Sequence, residues 1–356
     1  MTQPPSAALP SPPWSGREAQ RGDFPKRTDE PSMKRVQDIA WPVIGLGAVA
    51  VSAWLLFREL RGLSMASLAA AFGSISPLRW ALAWASTALA YAALAWYDRI
   101  ALLHLGRRIG WPFVALTSFV TYAIAHNVGA SVLSGAVIRY RAYSTKGLAM
   151  GEVGLLVAFC SFTFGLGAVT LGGLLLLIRP DVIERFDGAP DWVGQAAGAV
   201  LIAAPTLYLL GSLLHFPAVR IAGYELTYPR PPIAVRQLLA GPLELIGAAG
   251  IIFFALPAGN PGFVVVLAVF LASFCLALVS HAPGGLGVLE IAFLSGMPDA
   301  PQANVVAALL VFRLLYLIIP LAFSLVVVLV FERRRWRALV PLGAKTVHAG
   351  DDRTRR

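Results

Sequence analysis

The sequence predicts an all-α, polytopic helical membrane protein, and three observations carry that expectation. The 356 residues are 57% hydrophobic and 13% charged, well above the roughly 45–50% apolar content of a soluble domain. Several apolar stretches approach the roughly 20 residues needed to cross a bilayer. None of them alternates apolar with polar residues as a barrel strand would.

Residues 1–38 read as a disordered N-terminal tail. Met1 to Ser32 are rich in Pro, Gly, Ser and charge and contain no apolar stretch, so they bury too little surface to fold. The first apolar run opens near Ile39 and continues as a span, with no small-residue cleavage site, so no removed leader is expected. Met33-Lys34-Arg35 stands directly before that run and makes Met33 a candidate natural start.

Six stretches are long enough to span: Ile39 to Phe57, Arg79 to Trp96, Glu152 to Ile178, Trp192 to Leu214, Arg236 to Leu256, and Asn304 to Phe331. Two further runs are interrupted. Pro112 to Val137 is broken at His126-Asn127-Val128-Gly129 and again at Ser134-Gly135, and Phe263 to Ser295 is broken at His281-Ala282-Pro283-Gly284-Gly285-Leu286-Gly287. Each reads as two part-helices joined at a break.

Basic residues concentrate in cytoplasmic loops, so their distribution decides whether the broken runs cross or turn back. With both turning back and the N-terminus inside, the cytoplasmic segments hold Arg99, Arg107, Arg108, Arg139, Arg141, Lys146, Arg220, Arg230 and the Arg333-Arg334-Arg335-Trp336-Arg337 cluster. The other side holds Arg58, Arg61, Arg79, Arg179 and Arg185. A full crossing by the first run would put Arg139-Tyr140-Arg141 and Lys146 outside. The expected architecture is therefore six full spans plus two re-entrant hairpins, the first entering from the cytoplasm and the second from outside, a pseudo-inverted repeat of the kind transporters use. A His-x-x-Gly at each break echoes that symmetry, although a four-residue match arises by chance. Residues 39–331 form the transmembrane domain and 332–356 a basic tail, with both termini cytoplasmic.

The formal net charge of +10 does not indicate nucleic acid, because the 29 Lys and Arg are strung between apolar segments instead of gathered on one face. Cys160 and Cys275 lie inside apolar runs, where packing is their expected role, and no disulfide or metal framework is implied. There is no Gly-x-Ser-x-Gly elbow, Walker-type loop, His-Glu-x-x-His helix or Cys-x-x-Cys pair. The chain is expected to have no enzymatic activity and no cofactor.

Irregular backbone at membrane depth is tolerated only beside protein or a water-filled cavity, so the two breaks should line a polar space. The half-helix after each break offers unpaired N–H groups and the positive end of its dipole, which suit a phosphate. In the first hairpin the candidate lipid-binding residues are His126, Asn127, Gly129, Ser131, Ser134 and Gly135, with Arg139 and Arg141 at the cytoplasmic edge as headgroup guides or topology anchors. In the second they are His281, Pro283, Gly284, Gly285 and Gly287, a cluster for which a glycine-lined helix crossing is the alternative explanation. Ionisable groups in the bilayer need a partner or a function. Glu290 and Arg313 are expected mutual partners, as a gate or as a structural tie, and Glu244 stands two turns into the fifth span.

These residues resemble the transmembrane flippase region of the bacterial lysylphosphatidylglycerol synthetases, the multiple peptide resistance factor family. The likeness rests on Tyr97-Asp98, Ala125-His126-Asn127-Val128-Gly129, Ser134-Gly135, Arg139-Tyr140-Arg141-Ala142-Tyr143 with Gly147-Leu148, and Pro283-Gly284-Gly285-Leu286-Gly287-Val288-Leu289-Glu290. It runs from about Ile39 to Glu332 and implies translocation of a phospholipid, typically aminoacylated phosphatidylglycerol. Full-length members continue into a synthase domain, whereas this chain resembles a stand-alone branch. The expected function is lipid translocation across the inner membrane. The alternatives are a subunit that holds a lipid for a separate lipid-synthesis enzyme, and a small-solute transporter. The oligomeric state is left open.

Overall fold

The computed structural model describes residues 65–128, 131–182, 190–216, 219–221, 224–226, 228–280 and 285–339. The chain divides into two compact units, Met1–Ile44 and Gly45–Arg356. Every described residue belongs to the second. The expected tail at 1–38, the expected first span Ile39 to Phe57, and the tail beyond Leu339 lie outside the described residues.

Helices dominate. They are α1 (Met65–Gly73), α2 (Pro77–His104), α3 (Trp111–Val128), α4 (Ser131–Tyr143), α5 (Met150–Ile178), α6 (Asp191–Leu213), α7 (Pro231–Ala255), α8 (Phe263–Val279), α9 (Val288–Ser295), α10 (Gln302–Phe312) and α11 (Ile319–Leu339). Their starts follow local chemistry. Pro77 opens α2 behind Ser76, whose hydroxyl accepts from the Arg79 N–H, and Pro231 and Pro232 open α7, where a missing N–H loses nothing. Between α6 and α7 the chain forms one antiparallel strand pair, β1 (Val219–Ile221) and β2 (Tyr224–Leu226), with Val219 opposite Leu226 and Ile221 opposite Tyr224. Val, Ile and Tyr are strand formers, and their spacing here is too short for a helix.

Among the described residues four helices are long and apolar enough to cross a membrane: Met150–Ile178, Asp191–Leu213, Pro231–Ala255 and Gln302–Phe331. Each contains one of the expected spans or most of it. The expected span Arg79 to Trp96 lies within α2, whose Arg79, Asp98 and Arg99 dilute an otherwise apolar helix of 28 residues. At about 1.5 Å per residue α2 is still long enough to cover a hydrocarbon core.

Both interrupted runs fold back on themselves. A Cβ placed on Gly135 of α4 would lie 3.3 Å from Thr121 Cγ2 and 3.8 Å from Ala125 Cβ, both on α3. In the second run Gly285 and Gly287 hold left-handed φ angles of 63° and 79°, conformations a side chain resists. A Cβ on Gly285 would stand 3.0 Å from Ala277 Cβ. The 13 residues of α4 and the 8 of α9 reach about 20 Å and about 12 Å, short of a roughly 30 Å core.

Glycine contacts set the direction of the long helices. Gly247 meets Ala90 N and Gly250 meets Ser86 Oγ, so α7 runs antiparallel to α2. On its other side Gly241 meets the Gly167 backbone while Gln237 Nε2 donates to Thr163 Oγ1 at 2.8 Å, so α7 runs parallel to α5. Tyr208 of α6 completes that tie by donating to Gln237 Oε1 at 2.5 Å. Small residues of this kind let helix backbones approach closely in an apolar medium.

The hairpins attach at opposite ends of this bundle. Arg107, just past α2, pairs with Glu152 in the first turn of α5 at 2.7 Å, so the first hairpin leaves and returns at one end. At the other end the Arg79 guanidinium donates to the Leu256 carbonyl just past α7, and α1, which precedes α2, packs on α10. The second hairpin, between α7 and α10, leaves and returns there.

The Gly167–Gly241 crossing gives a direct test of this packing. Gly241→Ala puts a methyl into the Gly167 backbone and should lower the melting temperature of the detergent-purified protein, by the equivalent of about 1–3 kcal/mol. Gly151→Ala, at an exposed position with open space around it, should cause no loss.

Candidate functional site

Helices α10 and α11 are joined by a π-helical segment, Arg313–Ile318, in which the Ile319 N–H reaches back to the Leu314 carbonyl. The wider turn re-aims side chains and loosens the carbonyl ladder, which is why such segments favour sites of function. Tyr91 of α2 donates its hydroxyl to the Tyr316 carbonyl at 2.9 Å, and Asn127 of α3 donates Nδ2 to the Leu317 carbonyl at 3.2 Å. Both oxygens lie within the irregular segment.

The two hairpins meet on this segment. From the first, His126 stacks on the Tyr316 ring at 5.3 Å and Asn127 also donates to Ala123 O at 2.7 Å. From the second, Glu290 Oε1 accepts from Arg313 Nε, while its Oε2 accepts from the Gly287 N–H at 2.8 Å. Glu290 therefore caps its own helix start and binds the long helix at once. The expected partnership of Glu290 and Arg313 is present. The carboxylate also occupies an N–H at the start of α9, one of the groups expected to face a phosphate.

A second buried ion pair holds the returning arm of the first hairpin. Arg139 of α4 donates Nε to both carboxylate oxygens of Asp98 at 3.2 Å and Nη2 to Oδ1 at 2.7 Å. Asp98 is 0% exposed and Arg139 4% exposed. Tyr143 Oη donates to Asp98 Oδ2 at 2.9 Å, the Cys160 thiol approaches Oδ1 at 3.5 Å, and the guanidinium lies 4.7 Å from the Tyr122 ring centroid. This corrects the expected placement of Arg139. It does not stand at an edge facing headgroups, because a buried carboxylate on α2 draws it into the interior, where an isolated charge would be far costlier. Arg141 is exposed.

Glu244 of α7 is 1% exposed, and its Oε1 accepts from Tyr316 Oη at 2.6 Å. It thus joins the same segment from a third direction. The other predicted residues are distributed unevenly. Ser134 and Gly135 sit on α4, Gly135 tight against α3, and Gly285 and Gly287 shape the entry to α9. Ser131 begins α4. Gly129, His281, Pro283 and Gly284 lie outside the described residues.

Several participants have no counterpart among the predicted site residues: Asp98, Tyr91, Tyr97, Tyr122 and Tyr316. Asp98 was detectable by the rule that selected Glu244, an ionisable residue within an apolar run. The tyrosines carried no such signal, since an aromatic in a span is ordinarily packing.

No protein-family model matches the chain. It is 30% identical over 297 residues to the uncharacterized protein slr0712 of Synechocystis, covering 81% of this chain and 90% of that protein. It is 28% identical over 253 residues to the inner membrane protein YbhN of Escherichia coli, covering 68% and 77%. It is 25% identical over 282 residues to phosphatidylglycerol lysyltransferase of Staphylococcus aureus, covering 76% of this chain but 31% of that longer protein.

Removing one partner of the Asp98–Arg139 pair leaves a buried charge exposed to apolar surroundings. Asp98→Leu or Arg139→Met alone should lose about 3–5 kcal/mol of stability, and the double variant should recover most of it. Chemical denaturation of the three purified variants, each compared with wild type, reads the difference.

Proposed function

Because the chain belongs to the membrane-protein family that contains slr0712, the inner membrane protein YbhN and the membrane region of the phosphatidylglycerol lysyltransferases, we propose that it moves a lipid between the leaflets of the inner membrane. The cargo of this reading is an anionic or aminoacylated phospholipid or a related lipid. The multi-pass helical fold and the inner-membrane relative support the location. The coarser role, a membrane protein concerned with lipid, follows from the family.

The observation that carries the finer reading is the meeting of both hairpin tips on Arg313–Ile318, with Glu290 on Arg313 and Asn127 on Leu317. Two hairpins attached at opposite ends of the bundle, each with one arm too short to cross, are re-entrant from opposite faces in this reading, with both termini in the cytoplasm and six full spans around them. Irregular backbone at that depth requires shelter by protein or water, and the proposed route of the headgroup runs between the two hairpins. Releasing one tip while the other holds opens a path to one leaflet at a time. The phosphate is assigned to the first turn of α4, beside Ser134 and Gly135, since α9 already carries Glu290 at its start.

The test is a leaflet-sidedness assay with fluorescent phosphatidylglycerol in vesicles containing the purified chain. Wild type should move lipid, and Arg313→Met and Glu290→Gln should slow it at least roughly tenfold, the effect of about 1.4 kcal/mol on a barrier, with folded yield retained. Parallel loss of yield and movement would reduce the pair to a structural tie. A wild type that moves no lipid but co-purifies with a lipid-synthesis enzyme would favour the holding-subunit alternative.

A further inference from the structure

Among the described residues, Glu244 is a buried carboxylate that belongs to neither interior ion pair. Its Oε1 is held by Tyr316, but Oε2 finds no hydrogen-bond partner among the described residues. The nearby polar atoms share that condition. Tyr97 Oη, Thr121 Oγ1 and His126 Nδ1 are also buried without a partner. The antiparallel register that sets Gly250 against Ser86 and Gly247 against Ala90 places Glu244 opposite the next turn of α2, which leads to Tyr97. Tyr97 in turn meets Tyr122 edge-on at 6.4 Å, and Tyr122 lies 5.6 Å from His126. The orphaned groups of Glu244, Tyr97 and His126 therefore belong to one region, bounded by α2, α3, α7 and the π segment.

Among the charged and titratable groups on the helices around Glu244, the charged ones are already paired with each other. On α2 they are Tyr91, which donates to Tyr316 O, Tyr97, and Asp98, which holds Arg139. On α3 they are Tyr122 and His126, on α4 Arg139, and on α5 Cys160 beside Asp98. On α6 Tyr208 is bound to Gln237, α8 contributes Cys275, and at the π segment Arg313 pairs with Glu290 while Tyr316 holds Glu244 itself. No cation among the described residues forms an ion pair with Glu244. A carboxylate taken out of water without a cation is so unfavourable that the group takes a proton instead.

We propose that Glu244 is a proton-binding site and that its proton is the coupling ion of lipid movement. This rests on the translocation reading above. Uptake forms one O–H bond at Oε2, with the proton drawn from water on one side of the membrane, and neutralises the carboxylate. Release breaks that bond, passes the proton to water on the other side and restores the charge. The neutral form is at home in the apolar interior, with Oε1 still accepting from Tyr316. The ionised form holds Tyr316 more strongly but requires water at Oε2, at the segment where both hairpin tips are held.

Infrared difference spectroscopy of the full chain in phosphatidylglycerol-phosphatidylcholine vesicles tests the site without reading lipid movement, so the two proposals fail separately. At neutral pH wild type should show the carbonyl-stretch band of a protonated carboxyl, and Glu244→Gln should lose it. Tyr316→Phe, which removes the hydrogen bond to Oε1, should move that band to higher frequency. A wild type without the band, or a band unchanged in Glu244→Gln, overturns the proposal. If Glu244→Gln does not fold by gel filtration, the Tyr316→Phe band decides alone, and an unmoved band overturns it.

Discussion

Six residues of irregular helix, Arg313–Ile318, bear the constraint on which the rest of the arrangement depends. A π turn leaves backbone oxygens that a regular helix would pair, and an apolar medium offers them nothing. Here the donors come from elsewhere in the chain: Tyr91 from α2 for the Tyr316 carbonyl, and Asn127 from the tip of the first hairpin for Leu317. The same turn aims Arg313 at the second hairpin and the Tyr316 hydroxyl at α7. A single segment thus collects the broken ends of two separate runs.

The two buried ion pairs solve a common problem with different chemistry. Short part-helices bury little surface and need a strong contact to stay against the bundle. The first hairpin has its returning arm bound to α2 by Asp98 and Arg139, with Tyr143 and Cys160 completing the carboxylate's surroundings. That pair has several hydrogen bonds on each side, the condition under which desolvation is offset. Glu290 and Arg313 form a contact of another kind, a guanidinium on a carboxylate that also serves as a helix cap.

Much of the fold was legible in the sequence, because apolar length and Gly-Pro-His interruptions report directly on whether a helix continues. The partnership of Glu290 with Arg313 was legible for a related reason: opposite charges in apolar segments must find each other. Arg139 was misplaced because a count of positive charges assigns residues to loops and does not see a carboxylate 41 residues away. The π turn was missed although Pro320 follows it: proline has no N–H to give the carbonyl four residues back, that of Tyr316, but Arg-Leu-Leu-Tyr-Leu-Ile itself contains neither Pro nor Gly and reads as ordinary helix. The Gly167–Gly241 approach was equally silent, because which glycines meet depends on helix direction and rotation.

If the Arg313–Ile318 segment couples the hairpins, their tips should influence each other energetically although neither ion pair includes Asn127. A double-mutant cycle on lipid-movement rate, using Asn127→Ala and Glu290→Gln singly and together, measures that influence. The account predicts a coupling of about 1 kcal/mol, roughly fivefold in rate. Effects that add within about 0.3 kcal/mol, as for independent sites, would contradict it.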